Sequence, residues 1–412
     1  IRDKLLTFGI KNKNAKLYFD SVFVNNKIYI GSKEAGISII GKDNIEIKLQ
    51  GEEDDIYIKT NNRIILGERE NKVNFSFEKI LENFKYIKNA NLNQLLIKAW
   101  FYNTFFDPQI KPLFILTGIA GSGKTLLMKI MKGILFGFDD YLPNIIPEED
   151  YTFDMMIKNK KYLFLDEVKN FGFKNSAIMN KFRTLVTGGE IILRPKYSRD
   201  NITIKPNIHL IMATDNPRML QDHDLAQRAC IVELDKIDVI KENEEEILKR
   251  INSKTKIIWH SIKDTLQDIL KNLEKNKNNN IPLKNYCRQY GLANFAWRAF
   301  PDQKKDCIEL FETMMIEQEK FSAEQDPLID LIEDALTGMN VNSNNGNGID
   351  IYAKQLYNLV YPLAKEKGIK LPQSINGFSK KMLHRESILK ERFRMEKNKM
   401  KDNIIKYTFY IN

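Results

Sequence analysis

Residues 118–125 read Gly118-Ile119-Ala120-Gly121-Ser122-Gly123-Lys124-Thr125, and they follow the apolar run Pro112-Leu113-Phe114-Ile115-Leu116-Thr117 without a break. After them comes Leu126-Leu127-Met128-Lys129-Ile130-Met131-Lys132, a good helix former. A strand, a glycine-rich octet and a helix in this order admit few folds: the apolar strand belongs inside a sheet, and the loop turns sharply at its carboxyl end. Glycines let successive backbone N–H groups point inward around phosphate oxygens. Lys124 neutralises phosphate charge and Thr125 offers a hydroxyl to Mg²⁺. The octet from Gly118 to Thr125 is therefore the expected binding loop for a nucleoside triphosphate and its magnesium ion.

The sequence Lys160-Lys161-Tyr162-Leu163-Phe164-Leu165-Asp166-Glu167 reads as a second apolar strand, ending in two carboxylates. At such an end Asp166 is placed to hold Mg²⁺, directly or through water, and Glu167 to orient an attacking water. On its own an acidic strand end is often no more than a solvated edge. After a complete phosphate loop it takes on a role. Residues 113–117, 162–165, 209–214 and 230–234 are predominantly apolar rather than alternating, which suits parallel strands in a sheet covered on both faces.

Around this core the pattern changes. Residues 15–66 alternate apolar and polar with Asn-rich turns at Asn25-Asn26 and Asn61-Asn62, as β-hairpins do. Residues 75–106 turn helical, with Ile80, Phe84, Leu95, Leu96 and Trp100 as core candidates, and Trp297 farther on also reads as core. Residues 239–336 are largely helical, and the Asn- and Gly-rich stretch 340–348 reads as a linker. After it come helix candidates at 353–367 and 374–390 and a hairpin over 393–411, the layout of a winged helix.

The chain has 412 residues and a net charge of +10, and residues 351–412 alone hold 14 Lys or Arg against 5 Asp or Glu. A basic terminal module is the electrostatic footprint of a nucleic-acid contact, although a solvated Lys-rich face looks the same. Cys230, Cys287 and Cys307 stand far apart, which argues against a zinc site or disulfide framework and for a reducing, intracellular setting. No apolar run is long enough to span a bilayer, so no membrane partner is expected. The first residue is Ile1 rather than Met, as in a piece of a longer protein.

Between the acidic strand and the next apolar strand lie Phe182-Arg183-Thr184-Leu185-Val186-Thr187-Gly188-Gly189-Glu190, then Leu193-Arg194-Pro195-Lys196-Tyr197, then Ile204-Lys205-Pro206. This series resembles the superfamily 3 helicases, in particular the primase-helicases of poxviruses, other large DNA viruses, phages and their satellites. The resemblance is specific over residues 93–236 and looser at the carboxyl end. It implies an AAA+-like P-loop ATPase core with a parallel sheet, ATP and Mg²⁺ as cofactors, and a homo-oligomeric ring, hexameric in form. It also implies DNA as partner, single-stranded in the pore and duplex at the winged helix, with a primase domain or protein as a further partner.

In such a ring the 182–206 segment forms a pair of strands with a tight turn. Arg194, Lys196 and Arg199 would then meet a nucleic-acid backbone and Tyr197 would stack on a base. His209-Leu210-Ile211-Met212-Ala213-Thr214-Asp215-Asn216 resembles the family's sensor strand, which ends in an Asn. Asp215 stands where that Asn aligns, so either a one-residue shift brings Asn216 into the sensor position or Asp215 serves there with different charge logic; Asn216 is the preferred assignment. Arg228, just before Ala229-Cys230-Ile231-Val232, resembles the arginine that reaches a neighbouring subunit's nucleotide, with Arg218 as the alternative.

The expected layout is a β-rich segment over 1–70, a helical lead-in over 71–107, the ATPase core over 108–238, a helical region over 239–339, the linker 340–348, and a basic winged-helix-like domain over 349–412. The expected activity is that of an ATP-dependent replicative DNA helicase of a virus, phage or mobile element. An origin-binding initiator and a protein-remodelling AAA+ ATPase are the rival readings.

Overall fold

A computed structural model describes residues 16–32, 36–50, 56–60, 75–138, 141–144, 150–158, 160–166, 176–193, 202–215, 223–236, 243–285, 287–324, 327–338, 349–369, 371–383, 385–399 and 405–410. The fold is mixed α/β, built on a parallel sheet and many helices. It divides into two compact units, Ile1–Met219 with Gln227–Met315, and Leu220–Ala226 with Ile316–Asn412.

The first unit opens with six short strands: β1 (Lys16–Phe19), β2 (Ser21–Val24), β3 (Lys27–Gly31), β4 (Gly36–Ile40), β5 (Ile45–Leu49) and β6 (Ile56–Lys59). Strands β2 to β5 form an antiparallel sheet in chain order. Val24 pairs with Lys27 across Asn25 and Asn26, whose φ angles are 52° and 58°. A two-residue hairpin loop needs left-handed backbone at both positions, and Asn tolerates it better than most residues. Strand β6 departs from expectation. It pairs in parallel with β1 rather than turning back as a hairpin. Alternation identifies a strand but does not choose its partner.

Helices α1 (Phe77–Leu81) and α2 (Ala90–Asn103) follow. Asn89 caps α2, its side chain accepting from the N–H groups of Asn91 and Leu92 at 3.1 and 3.3 Å. The buried face of α2 carries Leu95, Leu96 and Trp100, and the Trp100 ring stacks on Phe114 with centroids 4.7 Å apart. Ile80 and Phe84 are buried as well.

The central elements are β7 (Leu113–Thr117), α3 (Lys124–Phe136), α4 (Asp150–Lys158), β8 (Tyr162–Leu165), α5 (Ser176–Thr187), β9 (Ile191–Leu193), β10 (Ile202–Ile204) and β11 (His209–Thr214). They continue through α6 (His223–Ala226), which groups with the second unit, to β12 (Ala229–Glu233). Strands β7, β8, β11 and β12 make one parallel sheet in the order β12-β7-β11-β8. Apart from the half-buried Glu233, every residue of these strands is buried, as a sheet covered on both faces requires.

Helix α5 ends in a Schellman motif: Gly189 N–H donates to Thr184 O at 2.9 Å, Gly188 N–H to Leu185 O at 3.1 Å, and Gly188 has φ 71°. Strands β9 and β10 then pair antiparallel. Helices α7 (Glu244–Ser253), α8 (Thr255–Lys275), α9 (Tyr290–Ala299) and α10 (Lys304–Glu324) carry the chain onward. Trp259 of α8 donates its indole N–H to Ile134 O of α3 at 2.8 Å, and Trp297 is buried.

The second unit contains α11 (Pro327–Gly338), β13 (Ile349–Tyr352), α12 (Ala353–Glu366), α13 (Ile375–Leu383), α14 (Glu386–Phe393), β14 (Glu396–Lys399) and β15 (Ile405–Phe409). Its sheet has the order β13-β15-β14, antiparallel throughout. Two features differ from the sequence reading. Strand β13 is additional, and the 374–390 stretch is two helices, with Arg385 as the amino-terminal cap position of α14. Leu328, Ile332, Leu356, Val360, Phe378, Leu389 and Phe409 form a core of the unit's own. The 340–348 stretch lies outside the described residues.

Candidate functional site

The loop between β7 and α3 leaves the sheet at its carboxyl edge, where parallel sheets with crossover helices bind ligands. Gly118, Gly121 and Gly123 have φ angles of 146°, 80° and 84°, each costly for a residue with a Cβ. Their surroundings differ. A Cβ on Gly118 would lie 2.2 Å from Leu234 O, because β7 and the continuation of β12 are zipped together by Leu234 N–H donating to Thr117 O at 2.8 Å. A Cβ on Gly121 would meet nothing within 4 Å. Gly118 is thus demanded by packing, while Gly121 borders open space.

Gly123 is the amino-terminal cap position of α3 and has no side chain with which to cap it. The first-turn N–H groups of α3 therefore keep the partial positive charge of an uncapped helix start. Ser122 is buried, while Ile119 and Ala120 face solvent. The Lys124 amine folds back on the loop, donating to Gly118 O at 2.6 Å and Ile119 O at 2.9 Å, with Ser122 Oγ at 3.5 Å. Burial pulls the Lys124 ammonium below its ordinary range, and the charges of Asp215 first and Asp166 second hold it up.

Thr125 Oγ1 donates to Asp166 Oδ1 at 3.2 Å. The contact joins the start of α3 to the residue just past β8. Asp166 is held in turn by its backbone N–H, which donates to Asn144 O at 3.1 Å, while Asn144 N–H donates to Phe164 O at 2.7 Å. Asn144 works here through its main chain alone. Its side-chain type gives no sign of the role, which is why the sequence reading passed over it. Hydroxyl and carboxylate oxygens are the hard donors that magnesium takes. Among the described residues no cluster of three or more His, Cys, Asp or Glu could hold a metal ion.

The remaining assignments fall in three places. Asp215 is exposed and follows Thr214, the last residue of β11, which lies between β7 and β8. Arg228 sits at the other edge of the sheet. Its carbonyl accepts from Leu113 N–H at 3.0 Å, level with the start of β7, whereas the loop leaves from the end of β7. At about 3.3 Å per residue the whole strand separates them. Arg228 and its own chain's loop are not brought together. Glu167, Asn216, Arg218, Arg194, Lys196, Tyr197 and Arg199 lie outside the described residues. Strands β9 and β10, which flank the last four, pair as expected, but the strand pair does not reach back over the whole segment: residues 182–187 are the last turns of helix α5, which the Gly188-Gly189 turn ends.

A family of unknown function (DUF5906) matches residues 116–228, from the end of β7 to the residue before β12. No curated protein matches the chain. Among solved structures, the apo structure of the NrS-1 C-terminal region (305–718) is similar at 15% identity and a TM-score of 0.38, over 100% of this chain and 98% of that one. The A-form apo structure of the NrS-1 C-terminal region is similar at 14% identity and a TM-score of 0.37, again over 100% and 98%. No described helix is long and apolar enough to cross a membrane.

Proposed function

We propose that this chain is an ATP-dependent DNA helicase of the superfamily 3 type, working as a homo-oligomeric ring in which each ATP is enclosed by two subunits. The observation that carries the proposal is the 3.2 Å contact between Thr125 and Asp166 at the carboxyl ends of two strands with β11 between them. That arrangement supports reading the Thr125 hydroxyl, the acidic end of β8 and the end of β11, beside a glycine loop, as the apparatus of a P-loop ATPase of the AAA+ kind.

Bound there, magnesium ATP would supply the phosphoryl group and the cation that offsets its charge. Thr125 and Asp166 would hold the cation, and the loop N–H groups with those of the first turn of α3 would hold phosphate oxygens. Lys124 must exchange its bonds to Gly118 O and Ile119 O for phosphate. Glu167 would orient water and Asn216 would read the terminal phosphate. The separation of Arg228 from its own loop favours its use on a neighbour's nucleotide over use on its own. Arg194, Lys196, Tyr197 and Arg199, between β9 and β10, would grip single-stranded DNA. The order α11, β13, α12, α13 with α14, β14, β15 and the sheet order β13-β15-β14 support reading the second unit as a winged helix that meets duplex.

The test is ATP hydrolysis with and without a forked DNA duplex, with strand separation followed on a gel and Lys124→Ala as the blank. DNA-stimulated hydrolysis with separation is expected. Assembly on DNA without separation would point to an initiator, and hydrolysis indifferent to DNA would overturn the helicase reading.

A further inference from the structure

Thr214 pairs with Thr117 of β7, and Met212 with Leu165 of β8. Strand β11 therefore runs past the end of β8 and delivers Asp215 from between the loop strand and the Asp166 strand. Asp215 is exposed, so its carboxylate is not consumed in the core. It joins Asp166, which contacts Thr125 at the start of α3, at the carboxyl edge of the sheet. The charges of both carboxylates act on the Lys124 ammonium, that of Asp215 the more strongly. An asparagine in this place would offer a neutral amide. Here the sheet presents a second negative charge to the space in front of the loop.

A nucleoside triphosphate brings several negative charges into that space. Two carboxylates oppose it unless a divalent cation enters with the phosphates and lies between them and the acids. Resting on the reading of the loop as a nucleotide site, we infer that Asp215 is a specificity-determining residue that makes the site select the magnesium complex of the triphosphate over the metal-free form. Lys124 alone does not offset two carboxylates. The bare triphosphate is rejected by repulsion, while the complexed one meets an acceptor for its cation or that cation's water. A unit charge about 8 Å from a phosphate, at the effective dielectric of a protein surface, changes binding by roughly thirtyfold.

The experiment measures the dissociation constant of a fluorescent, non-hydrolysable ATP analogue by anisotropy, once in excess Mg²⁺ and once in EDTA. Wild type, Asp215→Asn, Asp215→Glu and Lys124→Ala are compared. Asp215→Asn is isosteric and exposed, so it should fold. It should bind about thirtyfold more tightly than wild type in EDTA and change less than threefold in Mg²⁺, while Asp215→Glu keeps the wild-type ratio. An EDTA-to-Mg²⁺ ratio unchanged within twofold in Asp215→Asn overturns the inference. If Lys124→Ala binds the analogue as wild type does, the nucleotide site itself is refuted. Loss of binding in Lys124→Ala beside an unchanged Asp215→Asn ratio refutes the role of Asp215 alone.

Discussion

Replacing Gly118 and Gly121 in turn by Ala separates two reasons for a glycine that the sequence motif treats as one. Gly118 has φ 146°, and its added methyl would sit 2.2 Å from Leu234 O and 2.8 Å from Ser122 Oγ. Neither neighbour is free to yield. Leu234 is tied to Thr117 by the bond that closes the sheet, and Ser122 is buried. The backbone conformation costs on the order of 1–3 kcal/mol for a residue with a Cβ. Relieving an overlap of more than an ångström against backbone adds a further 1–3 kcal/mol or so. Gly118→Ala should therefore lose about 3–4 kcal/mol. In a unit of about 300 residues that lowers the midpoint of thermal unfolding by about 5 °C. Gly121→Ala has φ 80° but open space around the methyl. It should lose only about 1–2 kcal/mol, yet bind the ATP analogue more weakly, because the methyl would stand on the solvent side of the cradle. Calorimetry paired with analogue binding reads both. A Gly118→Ala protein within about 1 kcal/mol of wild type would refute the close-approach argument.

Three other outcomes are open to measurement. Asp20 lines a cleft of about 130 Å³ with Lys59, Lys132 and Lys160, and burial raises its carboxyl to about 6. The folded protein thus holds this proton more tightly than the unfolded chain does. The stability Asp20 contributes is complete below pH 3.8 and lost as pH rises through about 6. Asp20→Asn keeps an acceptor for the Thr60 hydroxyl at 2.9 Å and suits the φ of 59°. It should flatten urea midpoints between pH 4 and 7 and match or exceed wild type at pH 7 by up to about 2 kcal/mol; an unchanged slope would count against the burial argument. Glu167→Gln should bind the ATP analogue normally and lose turnover in steady-state assays, whereas normal hydrolysis would remove it as the water-orienting group. Arg228→Ala should be inactive alone but regain ATPase activity when mixed with Lys124→Ala subunits under exchange, and no recovery would count against its use across a subunit boundary.

The parallel sheet was legible because predominantly apolar runs mark β7, β8, β11 and β12, and its neighbours close over both faces. The loop was legible because its residue types are few and adjacent. Pairing was less so. Strand β6 alternates as a hairpin strand would, but it finds β1 in parallel, since alternation fixes which face is buried and says nothing of direction. The Gly188-Gly189 pair shows a different limit. It served as part of a family signature, and its local work is to end α5 in a Schellman turn. Asn144 was invisible because it braces Asp166 through main-chain groups that every residue possesses.

The two edges of the parallel sheet are held by different chemistry, and the difference bears on how the site stays in register. At the carboxyl edge Lys124, Thr125 and Asp166 are half-buried and Asp215 is exposed. At the amino edge the groups are locked. Lys161, just before β8, is 1% exposed, and its amine donates to Ser21 O at 3.0 Å, Ser21 Oγ at 2.8 Å and Asp107 Oδ1 at 2.7 Å. Asp107 also accepts from Phe23 N–H and from the Asn207 amide, both at 2.8 Å. His209, which opens β11, donates its backbone N–H to Lys161 O at 2.7 Å. A single ionic node therefore ties the starts of β8 and β11 to the amino-terminal sheet. The same two strands end at Asp166 and Asp215. Buried ion pairs lend little net stability when intact, but removing one partner leaves a charge without its counterion and costs about 3–5 kcal/mol. Lys161→Met should accordingly loosen residues 16–60 toward limited proteolysis and weaken analogue binding through the displaced strand ends. An unaltered digestion pattern would separate the two edges and refute the coupling between them.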